Sequence, residues 1–203
     1  MTPAYLASLC AAIYSPAPAC FDSIFDNGSV CVLIQRRDGK KILAFRGSKT
    51  GLDWLHDIEA EPISVPNVGT VHEGFWAGIE DAFAHIGLTK DDQVILTGHS
   101  LGTAHAALFA KLCLNAGISV EQLYLFAPPR VGYQDFHDGL QSIPDIKAWH
   151  NGVDIVPEVP ITLPGFPWVQ FPLIHIFERP EGLDEFIPTD WHSIELYLKG
   201  VQS

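Results

Sequence analysis

Apolar residues recur along this chain with two periods, one helical and one strand-like. Residues 3–14 read as a helix. Val30–Gln35 and Lys41–Phe45 are apolar runs of strand length, joined by Arg37-Asp38-Gly39-Lys40, where the Asp-Gly pair favours a tight hairpin turn. Residues 52–59 predict a short helix, and Glu73 to His85 a longer one, with Phe75, Ile79, Ala82, Phe83 and Ile86 at helical spacing. Val94 to Thr97 reads as a strand followed by an Ala- and Leu-rich helix that ends near Asn115-Ala116-Gly117. Further strands are expected at Leu123 to Ala127, stopped by Pro128-Pro129, at Ile146 to His150 and at Leu173 to Phe177, with a closing helix over 191–199. The Pro-rich stretch 157–172 reads as an ordered, irregular loop. Strands alternating with helices after a leading hairpin predict an α/β fold, its central sheet mostly parallel with antiparallel additions and flanked by helices. With no internal repeat or low-complexity linker, residues 1–203 are expected to form one domain.

Composition narrows the class. At 203 residues the chain can bury roughly 70% of its unfolded surface and needs no staples to fold. Apolar content of 47% and charged content of 18% are those of a globular protein. No apolar run is long enough to span a bilayer. The segment LASLCAAIY has the look of a signal-peptide core, but no Lys or Arg precedes it and Pro16 and Pro18 follow; a docked N-terminal helix is expected, and with it a cytoplasmic rather than secreted location. A net charge of −12 argues against nucleic-acid binding and long-range attraction to anionic lipid, since both need Lys and Arg; its plainer meaning is solubility. Cys10, Cys20, Cys31 and Cys113 show no C-x-x-C pair, so buried thiols are expected, with two disulfides as the alternative. Nine histidines form no H-E-x-x-H or other dense ligand cluster, and neither metal nor organic cofactor is expected.

Candidate chemistry centres on residues 94–102, VILTGHSLG. Strand, G-x-S-x-G turn and helix in immediate succession are the setting of a nucleophile elbow. Gly98 and Gly102 lack a Cβ, which lets strand and helix approach while Ser100 projects from the end of the sheet toward the helix N-terminus. The alternative is a turn serine near a helix cap. An alkyl alcohol needs a base, and the base needs an acid to fix its tautomer. In sheets with such an elbow the order is Ser, then Asp or Glu, then His, each after a later strand. Asp154, in HNGVDIVP just past a predicted strand and between apolar neighbours, suits the acid better than Asp145, Asp184 or Asp190, although it also suits a loop role. His192, at the junction with the closing helix, suits the base; His175, inside a strand, is the alternative. His56, His85, His99 and His105 are read as structural or exposed, His99 pointing away from the nucleophile beside it. The tetrahedral oxyanion needs donors: the N–H of Leu101, and one from the loop Arg46-Gly47-Ser48 after an early strand.

These residues resemble the class 3 (fungal-type) triacylglycerol lipase family. AFRGS at 44–48, VHEGF at 71–75, TGHSLG at 97–102, FAPPRVG at 126–132, NGVDIVP at 151–157, and His192 with Tyr197 carry the resemblance in order over most of the chain. The resemblance implies an α/β-hydrolase fold, Ser100, Asp154 and His192 as the catalytic triad, and Ser48 and Leu101 as the oxyanion-hole residues. It implies a short amphipathic lid over Lys49 to Glu59, with Trp54 at the lid's aromatic position and Asp57 supporting Ser48; an ordinary surface helix is the other reading of that segment. His72 and Arg130 resemble structural residues. The expected activity is carboxylic ester hydrolysis through an acyl-enzyme, by a triacylglycerol lipase. Alternatives are an esterase for small or aromatic (feruloyl-type) esters, a phospholipase A1, and, more remotely, a catalytically silent interaction module. The expected partner is a lipid or ester substrate, potentially met at a lipid–water interface.

Overall fold

A computed structural model describes residues 1–15, 20–48, 61–181 and 188–202. Helix α1 (Pro3–Ala12) starts from Thr2, whose side chain accepts the N–H of Tyr5, with Pro3 at a first-turn position where no backbone donor is missed. Strands β1 (Ser23–Asp26), β2 (Cys31–Arg37) and β3 (Lys40–Phe45) form an antiparallel meander. Asp38 and Gly39 both have positive φ, as a mirror-image two-residue hairpin requires, so the expected turn is present. A separate hairpin follows, β4 (Pro62–Val65) and β5 (Gly69–His72). Next come α2 (Glu73–Trp76), α3 (Ile79–Ile86), β6 (Gln93–His99), α4 (Leu101–Asn115), β7 (Ser119–Phe126), α5 (Gln134–Asp138), β8 (Ile146–Asn151), β9 (Leu173–Ile176) and α6 (Ile194–Gly200).

The main sheet runs β1-β2-β3-β6-β7-β8-β9, with β3, β6, β7, β8 and β9 mutually parallel. The expected α/β layout is therefore observed. Alternate residues of β6 serve opposite faces: Val94 and Leu96 join the core beneath α4, and Ile95 the core beneath α1 and α6. Helix α4 is apolar almost all round, and every residue from Gly102 to Ala110 is buried, as a helix central to a molecule should be. Its run of alanines lets it lie close to the strands. On the other face α1 and α6 pack against each other and the sheet.

Three expectations need correction. The single helix expected over 73–85 is two helices, because Gly78 adopts a left-handed conformation (φ 80°) between them and its carbonyl accepts a hydrogen bond from Asn27 Nδ2 at 3.1 Å. The closing helix begins at Ile194, capped by Ser193, and a 3-10 turn over Pro188–His192 precedes it. The sequence pattern predicts neither strand β1 nor the β4–β5 hairpin; β1 is an exposed edge strand with little alternation, and Pro62 and Pro66 disguise the hairpin. The irregular 157–172 loop is present, opening with a 3-10 turn over Val156–Glu158. The helix and lid expected within 49–59 lie outside the described residues. None of the four cysteines forms a disulfide; Cys10, Cys31 and Cys113 are buried, but Cys20 is exposed.

Candidate active site

The elbow at the end of β6 is as tight as its glycines suggest. Ser100 has φ 59° and ψ −135°, a conformation that L-residues adopt only when the surroundings impose it, at about 1–3 kcal/mol. A Cβ on Gly98 would lie 2.3 Å from the Gly102 carbonyl oxygen, and one on Gly102 would lie 2.2 Å from that of Phe45, so both must be glycine. The Ser100 N–H donates to Phe126 O at 3.0 Å and its carbonyl accepts from Thr103, which pins the turn between β7 and α4. Ser100 stands at the helix cap, yet its side chain makes no capping hydrogen bond, so the hydroxyl is not spent on structure. Leu101 opens α4, a fifteen-residue helix whose first N–H groups have no intrahelical acceptor and sit at the positive end of the dipole.

Asp154 follows β8 on a turn shaped by Asn151 and Gly152. The fully buried Asn151 side chain donates to Glu178 O (2.9 Å) and Trp191 O (3.2 Å) and accepts from Glu178 N–H (2.8 Å), joining three segments at one end of the sheet. Gly152 has φ 52°, and a Cβ there would meet the Trp191 ring at 2.0 Å. The Asp154 carboxylate is 1% exposed and fully partnered. His192 Nδ1 lies 2.8 Å from Oδ2 and 3.1 Å from Oδ1, Tyr197 Oη donates to Oδ2 at 2.6 Å, and Val156 N–H donates to Oδ1 at 2.9 Å. Burial alone would raise the carboxyl pKa. The hydrogen bond and charge of His192, with the bonds from Tyr197 and Val156, outweigh burial and hold it below the ordinary value. Burial and the adjoining Asp154 carboxylate push the Tyr197 phenol well up, so Tyr197 remains a donor.

Ser100 and His192 line one cavity of about 450 Å³, together with Ser48, Tyr14, His99 and Ile194. With Nδ1 committed to Asp154, Nε2 is the His192 nitrogen left for a further partner. His99, read from the sequence as structural or exposed, is buried and also lines this cavity. Its ring centroid is 4.6 Å from that of His192, and its Nε2 lies 2.8 Å from the His192 carbonyl oxygen. Its Nδ1 lies 3.1 Å from Tyr14 Oη, which in turn accepts the Gly47 N–H at 3.1 Å. The consistent assignment has Nε2–H donating to His192 O and Nδ1 accepting from Tyr14. Burial, then the neighbouring His192, lower the His99 pKa to about 3, so it stays neutral. This web ties α1, the Gly47–Ser48 loop, the elbow and the His192 turn together. Nothing in the sequence periodicity flags a contact between Tyr14 and His99.

Among the sequence candidates, Ser100, Asp154, His192, Ser48 and Leu101 converge on this end of the sheet; Trp54, Asp57, His56 and Asp184 lie outside the described residues. His175 is exposed on the edge strand beside His150, and the Asp154 carboxylate is partnered by His192, Tyr197 and Val156 instead. Asp145 precedes β8, at the opposite end of the sheet, where it accepts from Tyr124 and Gln122. Asp190 lines the cavity, but Asp154 holds Nδ1. His72 is structural as expected: its Nδ1 accepts from Gly74 N–H, its ring stacks on Phe75, and burial lowers its pKa to about 4. Arg130 fixes the following loop through Pro160 O and the Glu158 carboxylate, both at 2.9 Å. Among the described residues no group of three His, Cys, Asp or Glu is arranged to hold a metal ion.

Comparison with known proteins places this geometry in context. The signature of the family described as Lipase (class 3) matches residues 42–163. A lipase of Rhizomucor miehei is 35% identical over 152 residues, which is 66% of this chain and 42% of that protein. Phospholipase A1-II 1 of Oryza sativa subsp. indica is 28% identical over 128 residues, 61% of this chain and 31% of the relative. The chain thus spans well under two thirds of the length of these curated relatives. In three dimensions it is similar to the Rhizomucor miehei triacylglyceride lipase structure, with a TM-score of 0.69 at 23% identity, covering 87% of this chain and 78% of that one. That likeness shows the α/β-hydrolase fold.

Proposed function

This chain belongs to the class 3 lipase family, and on that footing we propose that it is a serine carboxylic ester hydrolase acting on acylglycerols. Ser100 is the nucleophile, His192 the general base and acid, and Asp154 the group that fixes the imidazole tautomer. As Ser100 Oγ attacks the ester carbonyl, His192 Nε2 takes the hydroxyl proton and the carbonyl oxygen becomes an oxyanion. The N–H groups of Leu101 and Ser48 receive that oxyanion. The intermediate collapses, the C–O bond to the alcohol breaks, and the imidazolium gives its proton to the leaving oxygen. Water then attacks the acyl-enzyme by the same route, releasing the carboxylic acid and regenerating Ser100. Asp154 stabilises the imidazolium in both halves, while His99, kept neutral, adds no second positive charge beside it.

The observation that carries this reading is the buried Asp154–His192 pair at 2.8 Å, whose His192 lines one cavity with a serine whose hydroxyl makes no capping bond. A panel of p-nitrophenyl esters run on the native chain and on Ser100→Ala tests it. Native turnover should exceed that of the variant by at least about 10³-fold. Equal rates, or a folded native chain that a fluorophosphonate probe leaves unlabelled at Ser100, would refute the assignment. Phospholipase A1 activity is the second reading, favoured by the rice relative. Release of the sn-1 acyl chain from phosphatidylcholine at a rate above that from triacylglycerol would establish it.

A further inference from the structure

Between Val159 and Phe177 the chain carries no Asp, Glu, Lys or Arg, in a protein with 24 acidic and 12 basic residues. That stretch also holds most of the exposed bulk. Of the eight large apolar side chains exposed among the described residues, five fall here: Ile161 (67%), Leu163 (57%), Phe166 (42%), Ile174 (42%) and Phe177 (70%). Single exposed leucines and phenylalanines are ordinary; five within seventeen residues are not.

Residues 161–167 form a tip exposed along its whole length, between buried Pro160 and Trp168. The tip is built, not loose. Leu163 and Phe166 exchange backbone hydrogen bonds at 3.3 and 2.9 Å across a turn that Gly165 makes with φ 91°, and Thr162 Oγ1 donates to Trp168 O at 2.8 Å. Its base is tied to the end of the sheet that bears Ser100 and Asp154. The Arg130 N–H donates to Val159 O at 2.7 Å and its guanidinium to Pro160 O at 2.9 Å, while Gln170 Nε2 donates to Pro128 O and Pro157 O. Phe177 leaves β9 at the same end, its ring 5.0 Å from Trp191, the neighbour of His192. The acidic residues that bracket the stretch are ion-paired, Glu158 to Arg130 and Glu178 to Lys199.

We propose that the Ile161–Phe166 tip is a lipid-docking element that seats this end of the sheet on an electrically neutral lipid surface. Three apolar side chains on a braced turn can enter the acyl boundary without unfolding and without carrying a charge into it. The net charge of −12 repels an anionic membrane, and the tip supplies no cation to offset that, so the surface it fits is zwitterionic phospholipid or neutral ester. The inference rests on the hydrolase reading above for the surface's role in presenting substrate, but docking can be measured without turnover.

The test is flotation with phosphatidylcholine vesicles, run in the Ser100→Ala background so that the vesicles stay intact, with and without the double change Leu163→Ser and Phe166→Ser. Both side chains face solvent, so the double variant should keep the parent's thermal midpoint. Binding should fall at least about tenfold, and vesicles rich in phosphatidylserine should bind the parent less than phosphatidylcholine does. In the active chain the same pair should slow hydrolysis of emulsified tributyrin about tenfold and leave soluble p-nitrophenyl acetate within about twofold. A parent that does not float, or a variant that floats equally well, overturns the proposal. So does a dimeric parent that becomes monomeric in the variant, because a second copy then covers the tip. A chain that floats through the tip yet cleaves no ester would refute the hydrolase reading alone, and one that cleaves soluble esters yet does not float would refute the docking element alone.

Discussion

At the scale of single residues, the Asp154 carboxylate is the most constrained group in the site. Two oxygens take a histidine, a phenol and a backbone N–H, and each partner favours the charged form. Asp154→Asn keeps the shape but can present its amide N–H to His192 Nδ1, selecting the wrong tautomer. Ester turnover should fall by about 10³–10⁴-fold, with KM changing far less, as steady-state kinetics on a soluble ester will show. Tyr14→Phe removes the hydroxyl that links Gly47 N–H to His99 Nδ1. It should cost about 1–2 kcal/mol, or roughly five- to thirtyfold, appearing in kcat rather than KM. An unchanged kcat would mean that the web around His192 holds without Tyr14. Ser100 was legible because its flanking glycines declare the turn, and Asp154 and His192 because chain order restricts what can follow a nucleophile strand. Tyr14 and His99 were not, since a hydrogen bond between positions 85 residues apart leaves no local pattern.

At the scale of elements, closure of β6 on α4 depends on absent side chains. Gly98→Ala would place a methyl 2.3 Å from a backbone oxygen that cannot turn aside. The thermal midpoint should drop by the equivalent of more than about 2 kcal/mol, and the remaining folded protein should be inactive. Gly47→Ala is a different case. Its Cβ would meet Tyr14 Oη at 2.6 Å, His99 O at 2.8 Å and Ser100 Cβ at 3.1 Å, so the damage falls on the site itself. Activity should be lost with a smaller change in thermal midpoint, as paired calorimetry and kinetics will show. Elements buried on both faces were readable as apolar runs. Those at the margin were not: β1 has little alternation to detect, and the break at Gly78 reflects a hydrogen bond from a distant asparagine.

At the scale of the whole molecule, four histidines among the described residues are stored neutral. Burial lowers His72, His105 and His137 to about 4 and, with His192 beside it, His99 to about 3. The unfolded chain would protonate all four near the ordinary histidine value of about 6.5, so between those limits it binds more protons than the native state. Stability is therefore complete above about pH 6.5 and drains away as the pH falls toward 4. Asp154, held below its ordinary value, adds a further loss only at lower pH still, as the native carboxylate protonates. Thermal midpoints measured from pH 7 to pH 4 should fall steadily; a flat profile would contradict the burial of these rings. The sheet's class was legible from alternation of strands and helices, because both faces must be covered, whereas the covering of one face by the first and last helices together was not.

Because α1 packs against α6, this face of the sheet is covered only once residues 194–200 have been made. Ser100 is made well before His192, which emerges only with the 188–192 turn, a turn tied to the rest of the site by Asn151 and His99. On the proposed reading, a chain translated only as far as β9 holds Ser100 without the imidazole that would serve it as base, and ester cleavage must wait for the 188–192 turn to form.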